Sequence, residues 1–205
     1  PRKKFVMHFH GGEVRNCWEM RRHEYEQADF IVVSTPNLLE SMPNDIEGYW
    51  IPNPVDIDHW RRYNDYHKGT ALHPHAYGIY DRTLKQVKAI TKDMNLQLGV
   101  IPREKYKFDY GIYPRFMELF EYYINVKQAR YYNVYSDAWD VTKGFDSDMS
   151  LNALQALALG MKVVHWQDEG KAYGPKGKSI VLDKFPEIHD SYNVATKWME
   201  IYENL

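Results

Sequence analysis

Two short stretches of this sequence combine residue types and spacings that could do chemistry. In Lys4–His10, KFVMHFH, His8 and His10 alternate and so share one face of an extended segment. His10, at the end of that segment, can hydrogen-bond a ligand in a cleft or sit as a satisfied rim histidine. Gly11-Gly12 behind it permits a turn with positive φ, and also lets a sugar or phosphate approach the backbone closely. The second stretch is Met149, Ser150 and Leu151, which open the strongest helical pattern of the chain. A helix N-terminus directs N–H groups at an anion such as a diphosphate. Ser150 serves equally well as a plain N-cap. Asp146 and Asp148 oppose an anion there unless they turn away or a cation intervenes, and an acidic first turn also suits the helix dipole.

Other constellations point away from chemistry. His73 and His75 repeat the alternation with Pro74 between them, but two imidazoles are too few for a closed zinc shell. GPKGK at 174–178 lacks the spacing and the Ser or Thr of a nucleotide P-loop and reads as an exposed turn. The tyrosines of 122–135 read as core and strand surface, and no serine–histidine–acid order presents itself.

The elements that must position these residues alternate between strand and helix. KFVMHFH is a short strand, 13–27 is helix-competent, and DFIVVS at 29–34 is the clearest strand. Its unbroken apolar character suits a parallel strand covered on both faces. Thr35-Pro36 starts a helix, and YWIPNPVD at 49–56 is a strand followed by a stiff turn. The alternation resumes with strands at 70–73 and 96–101, a helix over 80–94, a helix over 114–122, and extended segments at 123–126 and 131–135. Ser150–Leu159 is a helix closed by Gly160, followed by strands at 161–166 and 179–182 and a last helix over 188–202. The fold class is α/β, and the stiff turn divides it into residues 1–56 and 57–205.

Composition bounds the class. The chain has 205 residues, with 26 Lys and Arg against 28 Asp and Glu, so no bulk charge drives it toward nucleic acid or an anionic membrane. Cys17 is the single cysteine, which excludes an intrachain disulfide and multi-cysteine zinc. No apolar run approaches the roughly 20 residues of a membrane helix. These features lead us to expect a soluble, cytoplasmic protein.

Three segments, in order, resemble the retaining glycosyltransferases of family four, which have the two-domain GT-B fold. They are HFHGGE at 8–13, ADFIVVST at 28–35 with WIPNPVD at 50–56, and SDMSLNALQALALGMKVV at 147–164. The resemblance implies parallel Rossmann-like sheets with helices on both faces. Residues 1–56 would form an incomplete acceptor-side domain and 57–205 the donor-binding domain. It further implies transfer of a sugar from a nucleotide-sugar to an acceptor, with retention and with no obligatory metal or other cofactor. His10 would contact the donor sugar, beside Gly11 and Gly12. Arg82, Lys85 and the backbone of Met149, Ser150 and Leu151 would serve the diphosphate, and Gln155 the ribose. The sequence departs from the family in three respects. Pro54 replaces the glycine of the crossing, and Ser147 and Gln155 stand where the family has two glutamates. The diphosphate-gripping region offers only Arg82, Lys85 and Lys88. With just two strong strands before residue 55, the apolar faces of DFIVVS and KFVMHF need cover. Another copy in a two-fold dimer, a partner, or the chain's own second half could supply it, the dimer being the expected route. A non-catalytic binding or assembly subunit on the same scaffold is the alternative function.

Overall fold

The runs FIVV, YYINV and KVVHW carry apolar residues at successive positions, so as strands they must be covered on both faces. The computed structural model describes residues 3–10, 18–74, 80–101, 111–126, 131–133, 138–140, 150–168 and 177–204. In chain order it contains β1 (Val6–Phe9), α1 (Arg22–Tyr25), β2 (Phe30–Val33), α2 (Pro36–Glu40) and β3 (Tyr49–Trp50). Then come β4 (His67–Pro74), α3 (Tyr80–Asp93), β5 (Gln97–Ile101), α4 (Ile112–Met117) and β6 (Phe120–Val126). The remainder are β7 (Tyr131–Asn133), β8 (Ala138–Asp140), α5 (Leu151–Ala158), β9 (Lys162–Asp168), β10 (Gly177–Leu182) and α6 (Ser191–Glu203). Two compact units result. One holds Pro1–Pro54, Ala129–Asp148 and Glu187–Leu205, the other Val55–Gln128 and Met149–Pro186. Among the described residues no helix is long and apolar enough to cross a membrane.

The first unit is built on a parallel sheet in the order β1-β2-β3, with β2 central. Side chains alternate across it. Phe9, Ile31 and Val33 pack with Trp18, Tyr25, Leu38 and Met42 on one face. Val32 and Ile51 pack with Val194 and Ile201 of α6 on the other, with Val6, Phe30 and Trp198 around them. Asp190 caps α6 by accepting the Tyr192 N–H at 2.8 Å, and His189 Nδ1 lies 3.0 Å from the carbonyl of Asn53. The cover that the sequence demanded for this face therefore comes from the chain's own last helix.

The second unit has a five-stranded sheet in the order β10-β9-β6-β4-β5, parallel except for the antiparallel edge strand β10. Leu72, Tyr123 and Val163 face Met117 of α4 and Ala153, Leu154, Ala156 and Leu157 of α5. The residues one position on, Ile124 and Val164, join Ala71 against Val87 and Ile90 of α3. This is a helix–sheet–helix sandwich, parallel-rich and compatible with a Rossmann-like fold. Gly160, at φ 71°, closes α5: its N–H bonds Leu157 O and that of Met161 bonds Ala156 O, the paired bonds of a Schellman end. The helix expected over 114–122 is shorter and begins earlier. Glu118 N–H bonds Pro114 O to close the last turn of α4, and Phe120 already pairs into the sheet.

One charged cluster ties the amino-terminal end of this sheet to residues 61–64. Arg62 donates to the carbonyls of Leu159 at 2.8 Å, Glu118 at 2.9 Å and Phe120 at 3.3 Å. The fully buried Glu118 carboxylate accepts from Tyr63 N–H at 2.7 Å and from Asn64, and pairs with Arg115 at 3.1 Å. Burial by itself raises the carboxyl pKa. The hydrogen bonds from Tyr63 and Asn64 and the Arg115 charge outweigh it, so Glu118 titrates below its ordinary 4.5. A depressed carboxyl contributes stability that is complete above the unfolded value and is lost as pH falls through the folded one. Thermal denaturation of the wild type should therefore show Tm falling below about pH 4.5, and Glu118→Gln should flatten that acid limb. At neutral pH Glu118→Gln should cost about 1.5–3 kcal/mol, the worth of hydrogen bonds to a charged group. An unchanged acid limb in the variant would remove Glu118 from this role.

Candidate functional site

In an open parallel sheet, ligands bind beyond the carboxyl ends of the strands, where the chain reverses its direction of strand addition. In the second unit β5 is added on one side of β4, and β6 and then β9 on the other. The reversal lies between β4 and β6. Helix α3 follows β4, and α5 leads into β9, which runs parallel to β6, so both helices begin at this carboxyl edge on opposite faces.

Three polar side chains are buried at that edge: His73 of β4 is 7% exposed, Asn125 of β6 5% and His165 of β9 3%. Asn125 and His165 are register partners two positions beyond Tyr123 and Val163, so both turn to the α5 face. His73 lies two positions beyond Ala71 and turns to the α3 face, with Nδ1 2.9 Å from the carbonyl of Ile124. On the α5 side the groups form a relay. Ala153 N–H donates to Ser150 Oγ at 3.2 Å, and the Ser150 hydroxyl donates to Asn125 Oδ1 at 3.0 Å. The Asn125 amide nitrogen is then left to donate to His165 Nδ1, 2.7 Å away, which puts the ring proton of the neutral imidazole on Nε2. Tyr123 lies beneath, its hydroxyl in hydrogen-bonding reach of Ser150 and Asn152. Burial pushes that phenol well above its ordinary range, so it stays protonated.

This arrangement aims α5. Ser150 is its N-cap, with extended backbone (φ −63°, ψ 152°), and is locked from below by Asn125. The cap serves the Ala153 N–H, and the Leu154 N–H bonds Ser150 O, whereas the N–H groups of Leu151 and Asn152 have no acceptor within the helix. Among the described residues the groups beside those two N–H groups are neutral dipoles, and such an edge is able to receive an anionic group.

The residues expected from sequence fall as follows. Ser150 and Leu151 stand at the start of α5, and half-buried Gln155 lies one turn on. Arg82 falls in the first turn of α3, though its side chain lies outside the described residues; Lys85, in the second turn, is exposed. Lys85 is thus on the α3 face and Ser150 and Gln155 on the α5 face, both near the carboxyl edge. His10 belongs to the first unit, exposed just beyond β1, with its ring centroid 4.1 Å from that of His8. Its carbonyl accepts the Ser34 hydroxyl at 3.2 Å. Gly11, Gly12, His75, Asp146, Ser147, Asp148 and Met149 lie outside the described residues. Among the described residues no group of three His, Cys, Asp or Glu side chains could hold a metal ion. Asn125, His165 and Tyr123 were not anticipated. The available signal was a polar residue at the same offset in two apolar strands, Tyr-Ile-Asn at 123–125 and Val-Val-His at 163–165.

The relay predicts energetic coupling. Ser150→Ala should cost about 1 kcal/mol for the lost cap, plus a further 1–3 kcal/mol where Asn125 Oδ1 is left unsatisfied. A double-mutant cycle of Ser150→Ala with Asn125→Ala, read by chemical denaturation, should show a coupling of about 0.5–3 kcal/mol. Strictly additive losses would mean that the two side chains do not act as a unit.

No protein-family model matches this sequence, and no curated protein matches it significantly.

Proposed function

We propose that this protein is a nucleotide-sugar-dependent glycosyltransferase that acts with retention on a GT-B-like scaffold. The observation that carries the reading is the reversal of strand order between β4 and β6, with the capped amino end of α5 at the same carboxyl edge. The donor diphosphate lies against the α5 N–H groups of Leu151 and Asn152, and Arg82 and Lys85 from α3 neutralise its charge. Gln155 hydrogen-bonds the ribose. A role for His10, Gly11 and Gly12 toward the donor sugar rests on the family resemblance alone. Ser147 and Met149, next to α5 in the sequence, complete the proposed donor contacts. In the reaction the bond from the sugar's anomeric carbon to the diphosphate breaks, and the acceptor's nucleophile bonds that carbon on the same face. The protein accelerates this by orienting donor and acceptor and by stabilising charge on the departing diphosphate with preorganised dipoles and cations. No metal has an obligatory part. The acceptor is a glycan, lipid or protein group presented from outside this edge.

A second reading has a specific observation behind it. Gln155 occupies the position where the resembled family carries a carboxylate, and a neutral amide is the weaker partner for a ribose hydroxyl. On that reading the protein binds nucleotide-sugar without turning it over.

The test is a thermal-shift titration with uridine, guanosine and adenosine diphosphates and their sugar conjugates. A ligand at 100 times its Kd adds about 2.7 kcal/mol, which raises Tm by roughly 5–10 °C for a chain of this size. Gln155→Ala should weaken the responding nucleotide by about 0.5–1.5 kcal/mol, and Gln155→Glu should strengthen it. Binding without release of free nucleoside diphosphate in the presence of acceptors would favour the non-catalytic reading. The absence of a shift with every nucleotide would defeat both.

A further inference from the structure

Helix α6 covers β2 with Val194 and Ile201, and side chains on its two flanks fix how it lies over the sheet of the first unit. Lys197 Nζ stands 5.1 Å from the centroid of the Trp50 ring of β3 on one flank. On the other, the Trp198 ring meets His8 of β1 edge-on at 5.2 Å, and Tyr202 stacks on Trp198 and so shares the β1 side. This second flank is apolar and open to solvent. Tyr192 is 79% exposed, Met199 58% and Tyr202 57%, and Ala195 between them is exposed as well. The four recur at i, i+3, i+7 and i+10, the spacing of a coiled-coil seam. They form a second stripe that the sheet does not use. Beneath the stripe, β1 is the edge of its sheet and, among the described residues, pairs with β2 alone. The outer N–H and C=O groups of such a strand are a template for another strand.

We propose that this flank is an interface for a second copy of the chain, in which β1 pairs antiparallel with β1 of the other copy and the two α6 stripes meet above that pair. The spacing of the stripe selects a second copy over an unrelated partner. Positions 192, 195, 199 and 202 are symmetric about residue 197. In an antiparallel pair Tyr192 therefore meets the other copy's Tyr202, and small Ala195 meets its large Met199. A two-fold axis perpendicular to the sheet makes the β1 pair and the α6 pair antiparallel together, and closes the assembly at two copies. No charged residue stands in the stripe, so pairing strands no charge within it. Four tyrosines at about 150 Å2 each, with two methionines and two strand edges, bring the buried area to about 1,000 Å2, where specific interfaces begin. The interface is independent of the donor reading and stands or falls separately from it.

Sedimentation velocity of the full chain across the micromolar range tests the proposal, and the wild type should pass from monomer to dimer. Met199→Glu and Ala195→Glu should each weaken the dimer by about 10-fold or more, because each buries a carboxylate without a counter-charge. Both positions are exposed in a single copy, so neither variant should lower Tm at concentrations where the wild type is monomeric. Glu200→Gln, on the opposite flank of α6, should leave the dimer intact. Amide exchange at Val6–Phe9 should slow with concentration in the wild type and not in Met199→Glu. Orientation is read by oxidation in a Cys17→Ser background. Mixed Ala195→Cys and Met199→Cys chains should form a disulfide between positions 195 and 199, and neither chain should cross-link to itself. The proposal is overturned by a monomer at every concentration, or by a dimer that both glutamate variants leave intact. It is equally overturned by self-cross-linking of either cysteine variant, which would mean parallel helices, or by β1 exchange that does not depend on concentration.

Discussion

Strands that are apolar at every position cannot be left with one face in water, and that requirement organises both units. In β2, Ile31 and Val33 point to one side and Val32 to the other, and all three are buried. In β6 and β9 the alternation of Tyr123 with Ile124 and of Val163 with Val164 has the same consequence. Each buried apolar side chain contributes about 1.5–3 kcal/mol relative to exposure, far more than the weak pairing of isolated parallel strands, so the sheets form only with helices on both faces. For the first unit this is why α6 belongs to it although it is last in the chain. Without Val194 and Ile201 the side of β2 bearing Val32 would be bare.

Because the middles of the strands are closed to polar groups, the polar residues of the second unit collect at the sheet's two ends, and the ends differ in kind. At the amino end they are charged and structural: Arg62 takes three backbone carbonyls and Glu118 sits fully buried among its donors. At the carboxyl end the relay of Ser150, Asn125 and His165 is built from neutral dipoles. A neutral relay fixes the amino end of α5 in direction without placing a carboxylate where the helix dipole favours an anion. The charged end locks residues 61–64 to the sheet, and the neutral end fixes the cap of α5.

The first unit handles charge differently. Around Arg22 the carboxylates of Glu19, Glu26 and Asp45 form a network with one cation at its centre, and exposed pairs of this type contribute little stability individually. Together they tie the helical segment around Arg22 to Asp45 in the segment before β3.

Local pattern determined most of the element types. The apolar runs of β2, β6 and β9, the Ser150 cap and the Gly160 stop were all legible, because they depend on side-chain period and on backbone preferences that act within a few residues. So was the parallel-rich α/β class, since continuous apolar strands alternating with helices admit few other arrangements. The start of β6 at Phe120, inside a stretch that reads as helix, was decided by pairing with β4, which local propensity does not record. Of the candidate site, Ser150, Leu151 and Gln155 were visible through the helix they open. Asn125, His165 and Tyr123 were not, because a lone polar residue in an apolar strand acquires meaning only when register sets it opposite another. The same holds for the cover that α6 gives β2. These contacts join residues more than a hundred positions apart. Only folding, which exchanges chain entropy for buried area, brings them together.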